Sequence, residues 1–563
     1  MNFSLSALLN NQTKWLERQQ NSILSAASII TVASIVSALS GLIVKRALIA
    51  QFFGSTASAE ALEAFWIAFQ IPDLLFQLIG LGALSAAFIP IFTTYKKKDE
   101  QQAFRVSSIM MNVLLIIFLL ASIIIFIFAK PLTIFRTGAA FTSAQVEIVV
   151  NLTRIMLLSQ FFFAISNFMT GILQSFQRFI FPAIAPIFYN IGILIAVYTL
   201  SSTLGIYAAG VGVILGAFLH MLIQIPLVLK LGFSYKFSIN IKDPAIKEFF
   251  KLMPPRVLSL GASEFRKLFL GFFTTSIGNL SYIVMQLGLT LMIIPIRFFG
   301  VPISQASLPF LSEEADNESQ EKFTSLVVQS LHQIAFLSLP ASILLLILRV
   351  PVVRLLFGTY NFPWTTTITT GKVVGILALS ISLQAMAQLL TRTFYALKDT
   401  QTPFLVAIFD FILYLSLTAF FVNYTSWPLL GLAVATSTTA AVEMGLLLLL
   451  LSFKVKGIFS RKFWWPQLKI FSAGFLMAVF LYLPFKIFDE LIFNTTRTIE
   501  LISLTVTTST IGILVYLYFA MLFEIKELQL FVKLASSFAP WKKTLSQSPE
   551  VLVEGSTNNP DSL

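Results

Sequence analysis

Ionisable side chains are scarce in this chain, and those that fall inside apolar stretches are where chemistry could be done. Of 563 residues 57% are hydrophobic and only 11% charged, against roughly 25% charged in an ordinary soluble domain. The densest group is Glu264, Arg266 and Lys267, within the apolar run 248–276. Lys45 and Arg46 sit together near the end of the first apolar run. Glu60 and Glu63 follow, in a short loop and at the start of the next run, and Arg297 comes two residues after Pro295. A charge in hydrocarbon costs roughly 2.5–3.5 kcal/mol on insertion scales, so such residues face a polar cavity, pair with a partner, or snorkel to the interface. Glu264 and Lys267, at i and i+3, can pair on one helix face, which leaves Arg266 without a local partner and points it at a cavity. Lys45 and Arg46 cannot both face a cleft, because neighbours on a helix point about 100° apart. Arg154, His220, Asp410 and Glu443 are isolated in their runs, and inter-helix hydrogen bonds account for them.

This is binding chemistry rather than catalysis. There is no Cys and there are only two His, His220 and His332, so thiolate metal sites and cysteine nucleophiles are excluded and no metal site is expected. No Walker A, GxSxG or HExxH motif occurs. The formal charge of +12 is spread between apolar runs and is better read as topology than as a nucleic-acid surface.

The elements that must position these groups are membrane spans. Runs long enough to cross a roughly 30 Å core lie at 24–51, 64–92, 107–129, 146–175, 181–201, 205–229, 248–276, 280–310, 324–348, 370–391, 403–424, 428–453, 466–485 and 500–523. That is fourteen helices, an all-α polytopic membrane protein with both termini on one side. Loops on that side hold 23 Lys and Arg against 6 on the other, so the positive-inside rule makes it the cytoplasmic side. Residues 1–23 lack the features of a cleavable signal peptide.

Proline and glycine spacing repeats between the halves. Pro72 and Pro295 lie 223 residues apart, Pro90 and Pro309 219, Pro131 and Pro351 220, and Pro182 with Pro403 and Gly210 with Gly431 221 each. Six helices recur and two are added. An even number per repeat makes the two copies parallel, related by an axis along the membrane normal, and two such lobes enclosing a cleft describe an alternating-access transporter. The plain alternative is duplication for structural bulk. The expected organisation is a cytoplasmic segment 1–23, an N-lobe 24–230, a C-lobe 247–453, two further helices in 466–523 and a disordered cytoplasmic tail 524–563.

Ala50-Gln51-Phe52-Phe53-Gly54, Glu63-Ala64-Phe65-Trp66 through Pro72-Asp73-Leu74-Leu75, Gly82-Ala83-Leu84-Ser85-Ala86-Ala87-Phe88-Ile89-Pro90, and Phe394-Tyr395-Ala396-Leu397-Lys398-Asp399-Thr400-Gln401-Thr402-Pro403 resemble the MviN/MurJ lipid II flippases. The resemblance covers about residues 25–525. It implies a fourteen-helix, two-lobed exporter fold that moves lipid-linked peptidoglycan precursor from the inner to the outer leaflet of the bacterial cytoplasmic membrane. The pyrophosphate would bind cations in the cleft, which suits Lys and Arg in a low-dielectric cavity, and helices 13–14 would form a groove for the polyprenyl tail. No cofactor is implied beyond a coupling ion or the membrane potential, and the implied partners are the lipid-linked glycan, membrane lipids and the cell-wall synthesis machinery. Carried across, the family's first-helix arginine falls on Lys45 and its second-helix acidic residue on Glu63, while two other arginines fall on Phe76 and Thr290. The expected substrate-binding residues are therefore Lys45, Arg46, Glu63, Arg266, Lys267 and Arg297, the last three replacing the charge missing at Phe76 and Thr290. Competing readings are export of another undecaprenyl-linked glycan, a transport-inactive membrane scaffold, and a glycosyltransferase using Glu60 and Glu63, for which the outer loops are short.

Overall fold

Hydrocarbon offers no partner for backbone N–H and C=O groups, so lone apolar runs cross it as helices that satisfy themselves internally. The computed structural model describes residues 23–81, 88–240, 242–316, 320–495 and 497–528, and within them all regular structure is helical. The expectations for 1–22 and 529–563 lie outside the described residues. The N-lobe comprises α1 (Ile23–Phe52), α2 (Thr56–Leu75, continued by Phe76–Leu81 and Ile89–Lys96), α3 (Glu100–Arg136), α4 (Ser143–Ser175), α5 (Ile180–Leu204) and α6 (Tyr207–Leu222, with Ile225–Lys230). The second half comprises α7 (Pro244–Ile277), α8 (Ser281–Pro295, continued by Ile296–Gly300 and Val301–Asp316), α9 (Gln320–Ile347), the short helix Arg349–Phe357, α10 (Trp364–Ala378 and Ile381–Ala396), α11 (Gln401–Tyr424) and α12 (Pro428–Lys454). After it come α13 (Arg461–Ile487, with a turn Phe488–Ile492) and α14 (Thr498–Leu522).

Eleven helices among the described residues are long and apolar enough to span a membrane, or twelve when the two halves of α10, bent by 42°, count as one. Two further helices, α2 and α7, occupy the remaining expected spans. In α2 the regular helix is interrupted, and α7 carries several charges. The expected start of α2 at residue 64 is too late. Ser55 caps the helix in a reciprocal pair with Ser58, so it begins at Thr56 and takes both Glu60 and Glu63 into its first turns, as capping boxes do.

The repeated prolines do the same work twice. Pro72 in α2 and Pro295 in α8 are each followed by a π-helical turn, Phe76–Leu81 and Ile296–Gly300, as expected where a missing N–H breaks the regular ladder. Loops repeat as well. Gln177 and Lys398, 221 residues apart, both take a left-handed backbone, with φ of 58° and 60°. Pro131 and Pro351 differ. The first sits inside the continuous α3, whereas the second lies in the separate helix Arg349–Phe357.

The apolar cores are distributed unequally across the membrane. One buried cluster joins both lobes through the outer halves of the spans, from Ile49, Leu62 and Ile67 of the first lobe to Ile283, Met285 and Leu287 of the second. Towards the other end two separate clusters form, one around Phe88, Phe92 and Phe168 and the other around Leu331, Phe394 and Ile470, the latter continuing along α9 and α13 as far as Ile347 and Leu481. The lobes therefore share a core at the end of the bundle that holds Glu63 and Tyr282 and divide towards the other end, the one expected from loop charge to face the cytoplasm.

Candidate functional site

A cavity of about 600 Å³ lies where the lobes divide. Ser34, Ser37 and Lys45 of α1, Thr170 and Gln174 of α4, Pro182 and Pro186 of α5, and Thr290 and Arg297 of α8 line it. Two of the six expected residues, Lys45 and Arg297, therefore meet in one cavity from opposite lobes. Lys45 Nζ donates to Thr290 Oγ1, and the Thr290 hydroxyl in turn donates to the Gln286 carbonyl at 2.6 Å. Arg297 is exposed to the cavity at the π turn after Pro295. A hydroxyl thus occupies one position where arginine was expected and serves as an acceptor for the remaining lysine. At the other, Phe76 packs on Phe163 with centroids 5.0 Å apart, and Phe163 contacts both Tyr189 and His220.

The other four expected residues lie elsewhere. Arg46 turns away from Lys45, as the 100° rule requires, and donates to the carbonyls of Leu355 at 2.5 Å and Leu356 at 3.3 Å. Those carbonyls end the short outer helix, where a cation is favoured. Glu63 is buried and accepts from the Tyr282 backbone N–H at 3.0 Å, fixing the outer end of α8. Arg266 is held within its own lobe, 2.7 Å from Asp410 of α11 and 3.0 Å from Thr439 of α12, with its guanidinium 4.1 Å from the centre of the Tyr414 ring. Its expected cavity role overlooked Asp410, a partner 144 residues away. Lys267 does pair with Glu264 at i and i+3, at 2.7 and 2.9 Å, and reaches Asp73 of α2 at 3.8 Å. Of the isolated polar residues, Arg154 donates to Phe126 O at 3.1 Å and His220 Nδ1 lies 2.7 Å from Ser166 Oγ, while Glu443 lines a small cavity with Gln384, Gln388 and Arg392.

Sequence reasoning missed the seal above the cavity. Gln70 of α2 donates to Tyr282 Oη at 2.9 Å and to Lys267 O at 3.2 Å, and the buried Arg136 donates to Gln70 Oε1 and Ile67 O, each at 2.8 Å. Gly271 leaves room for Gln70, because a Cβ there would lie 2.8 Å from its Oε1. Gly138 N donates to Thr275 Oγ1 at 2.9 Å and Asn361 Nδ2 to Ala50 O at 2.9 Å. Apart from the bonds of Arg136, which stay within the first lobe, these bonds cross between the lobes at the Glu63 end of the bundle. Gln70 amid apolar neighbours and Arg136 at a helix end were the available signals.

Residues 49–521 match the family described as "Lipid II flippase MurJ". The chain belongs to this MurJ family. It is a multi-pass membrane transporter and not an enzyme. It is similar to the "Probable lipid II flippase MurJ" of Bdellovibrio bacteriovorus, 26% identical over 507 residues, covering 89% of this chain and 94% of the relative. It is also similar to the "Lipid II flippase MurJ" of Burkholderia cenocepacia, 24% identical and covering 79% and 87%. A solved structure titled "Lipid II flippase MurJ, inward closed conformation" superposes with a TM-score of 0.72 at 24% identity, covering 89% of this chain and 99% of that one. An inward-facing multidrug resistance MATE transporter of the MOP superfamily superposes at 0.58, with 14% identity and 77% and 98% covered. The MurJ fold with a cleft between two lobes is therefore that of this chain.

Proposed function

We propose that the chain flips lipid-linked peptidoglycan precursor, lipid II, from the inner to the outer leaflet of a bacterial cytoplasmic membrane by alternating access. Both termini are cytoplasmic in this reading, and the product passes to the cell-wall synthesis machinery. Family membership supports the substrate, and the observation that carries the mechanism is the unequal core: the lobes share packing outside and separate inside, with Lys45 and Arg297 facing each other across the opening.

The chemistry follows from the cavity wall. A diphosphate entering from the cytoplasmic side competes with Thr290 for Lys45, and the released hydroxyl can donate to a phosphate oxygen. Arg297 adds a planar fork that pairs with two oxygens at once. Anion binding across the two lobes draws them together on the inside. Outward opening then requires breaking the cross-lobe bonds at Glu63, Gln70 and Gly138, each worth about 0.5–1.5 kcal/mol net. The polyprenyl tail remains in lipid beside α13 and α14. The site consists of Lys45 and Arg297, with Arg46, Glu63, Arg266 and Lys267 as supports that fix the helices around it.

Conditional depletion followed by assay of lipid-linked precursors in the inner leaflet tests this reading. Lipid II accumulates if it holds, and complementation by Lys45→Ala or Arg297→Ala fails although the protein reaches the membrane. Normal lipid II translocation in depleted cells would refute it. Accumulation of a different polyprenyl-linked glycan would favour export of that glycan, a reading supported by Phe76 and Thr290 standing where the family has arginine.

A further inference from the structure

A larger cavity, of about 870 Å³, shares no lining residue with the cleft. The outer end of α9, the helix Arg349–Phe357 and α10 form one wall, and α13 with its following turn forms the other. Its size is within the roughly 300–1,000 Å³ of small-molecule sites. Arg349, Arg354 and Lys486 line it, together with Asp489 and Glu490. Cations are depleted from the outer loops, which hold six in the whole sequence, yet three of those six converge here.

The arginines are incompletely used. Arg349 donates one N–H to Leu346 O at 2.7 Å. Arg354 places its guanidinium 5.3 Å from the centre of the Trp364 ring and donates no side-chain hydrogen bond to a described residue. A cation–π contact takes up none of the guanidinium N–H groups, which stay available to oxygen acceptors. Lys486 pairs with Glu490 at 3.5 Å, a solvent-exposed pair of little strength. Trp364 and Tyr482 stand at the rim, the residue types that settle at headgroup depth. One and two turns further into the membrane, Val479 and Phe475 of α13 are 52% and 69% exposed, an apolar track leading away from the cations.

Cations at headgroup depth above an apolar track match one kind of molecule. We propose that this cavity binds the phosphate of an outer-leaflet phospholipid, with Arg349 and Arg354 on the phosphate, Lys486 at the rim and the acyl chains along α13. The site is separate from the cleft and does not depend on which lipid-linked glycan is transported.

The test uses the full chain in phosphatidylcholine nanodiscs doped with phosphatidylglycerol, with retained lipid counted by native mass spectrometry. The double variant Arg349→Gln/Arg354→Gln retains about tenfold less phosphatidylglycerol than the parent, the factor expected from losing one strong charge-assisted pair. Lys486→Gln, a change at an exposed side chain that leaves folding intact, retains measurably less. Lys462→Gln, at the far end of α13, retains as much as the parent, and excess inorganic phosphate does not displace the lipid. Undiminished retention in the double variant overturns the proposal, and so does displacement by inorganic phosphate, which would assign the cavity to a soluble anion. Should the double variant fail to fold, undiminished retention in Lys486→Gln overturns it.

Discussion

The two lobes carry the same dibasic pair in the same register and use it differently. Lys45-Arg46 in α1 recurs as Arg266-Lys267 in α7, 221 residues on, the spacing that also relates Pro182 to Pro403. In the first lobe Lys45 faces the cleft and Arg46 reaches across to the carbonyls of the second lobe. In the second lobe Asp410 neutralises Arg266 and Glu264 neutralises Lys267. The difference lies in the carboxylates: two in the second lobe convert a repeated cation pair into struts, while their absence from the first leaves one lysine available to a ligand.

This comparison can be broken in several ways. Lys45→Ala is expected to have the largest effect, reducing transport by about tenfold or more, since it removes the charge that α1 presents to the anion. Lys45→Arg retains most of it, and full transport by the alanine variant in a lipid II translocation assay would mean that the first-lobe pair is also structural. Asp410→Asn comes next. It leaves the partly buried Arg266 without its carboxylate and costs about 2 kcal/mol, read as a lowered unfolding temperature in detergent. Arg266→Met together with Asp410→Leu recovers much of that loss, and a double variant no better than Asp410→Asn would show that the pair is more than a strut.

A smaller change is expected for Arg46→Gln. Losing a cation from two terminal carbonyls costs about 1 kcal/mol and should loosen the outer loop, measured as faster hydrogen exchange in Arg349–Phe357, with binding in the cleft unchanged. The smallest is confined to acid. Where the first lobe has Arg178 after its left-handed Gln177, the second has Asp399 after Lys398. Desolvation alone would raise the Asp399 carboxyl, but hydrogen bonds from Lys454 and Thr402 outweigh it and bring it from 3.8 to about 2. A carboxyl lower in the folded state stabilises fully above its unfolded value and loses that contribution as pH falls from about 4 through 2. Asp399→Asn should flatten the acid limb of the stability profile, and an unchanged limb would remove Asp399 from the account.

Much of this architecture was legible in the order of residues. Proline spacing announced the duplication because a ring that removes an N–H acts locally, and the π turns after Pro72 and Pro295 are the same local event. Lys45 was readable as a cleft residue because a charge in an apolar run needs an explanation. The ion pair of Arg266 was hidden for the converse reason. Its partner lies in another span, and one-dimensional periodicity does not say which faces of α7 and α11 meet. The outer seal was hidden for the same cause: Gln70, Arg136 and Tyr282 become a network only when three helices converge.

The shared outer core has an electrical consequence. In the proposed inward-facing state, a vestibule that admits cytoplasmic water as far as Lys45 brings the inner potential with it, so the drop across the bilayer concentrates in the plug of packed side chains that holds Glu63, Gln70 and Tyr282. Each elementary charge crossing that plug gains or loses about 2.3 kcal/mol per 100 mV, and with the interior negative the gain goes to an anion travelling outward. The packing that closes the far side of the cavity is thus also where the membrane voltage acts on an anion held beside Lys45.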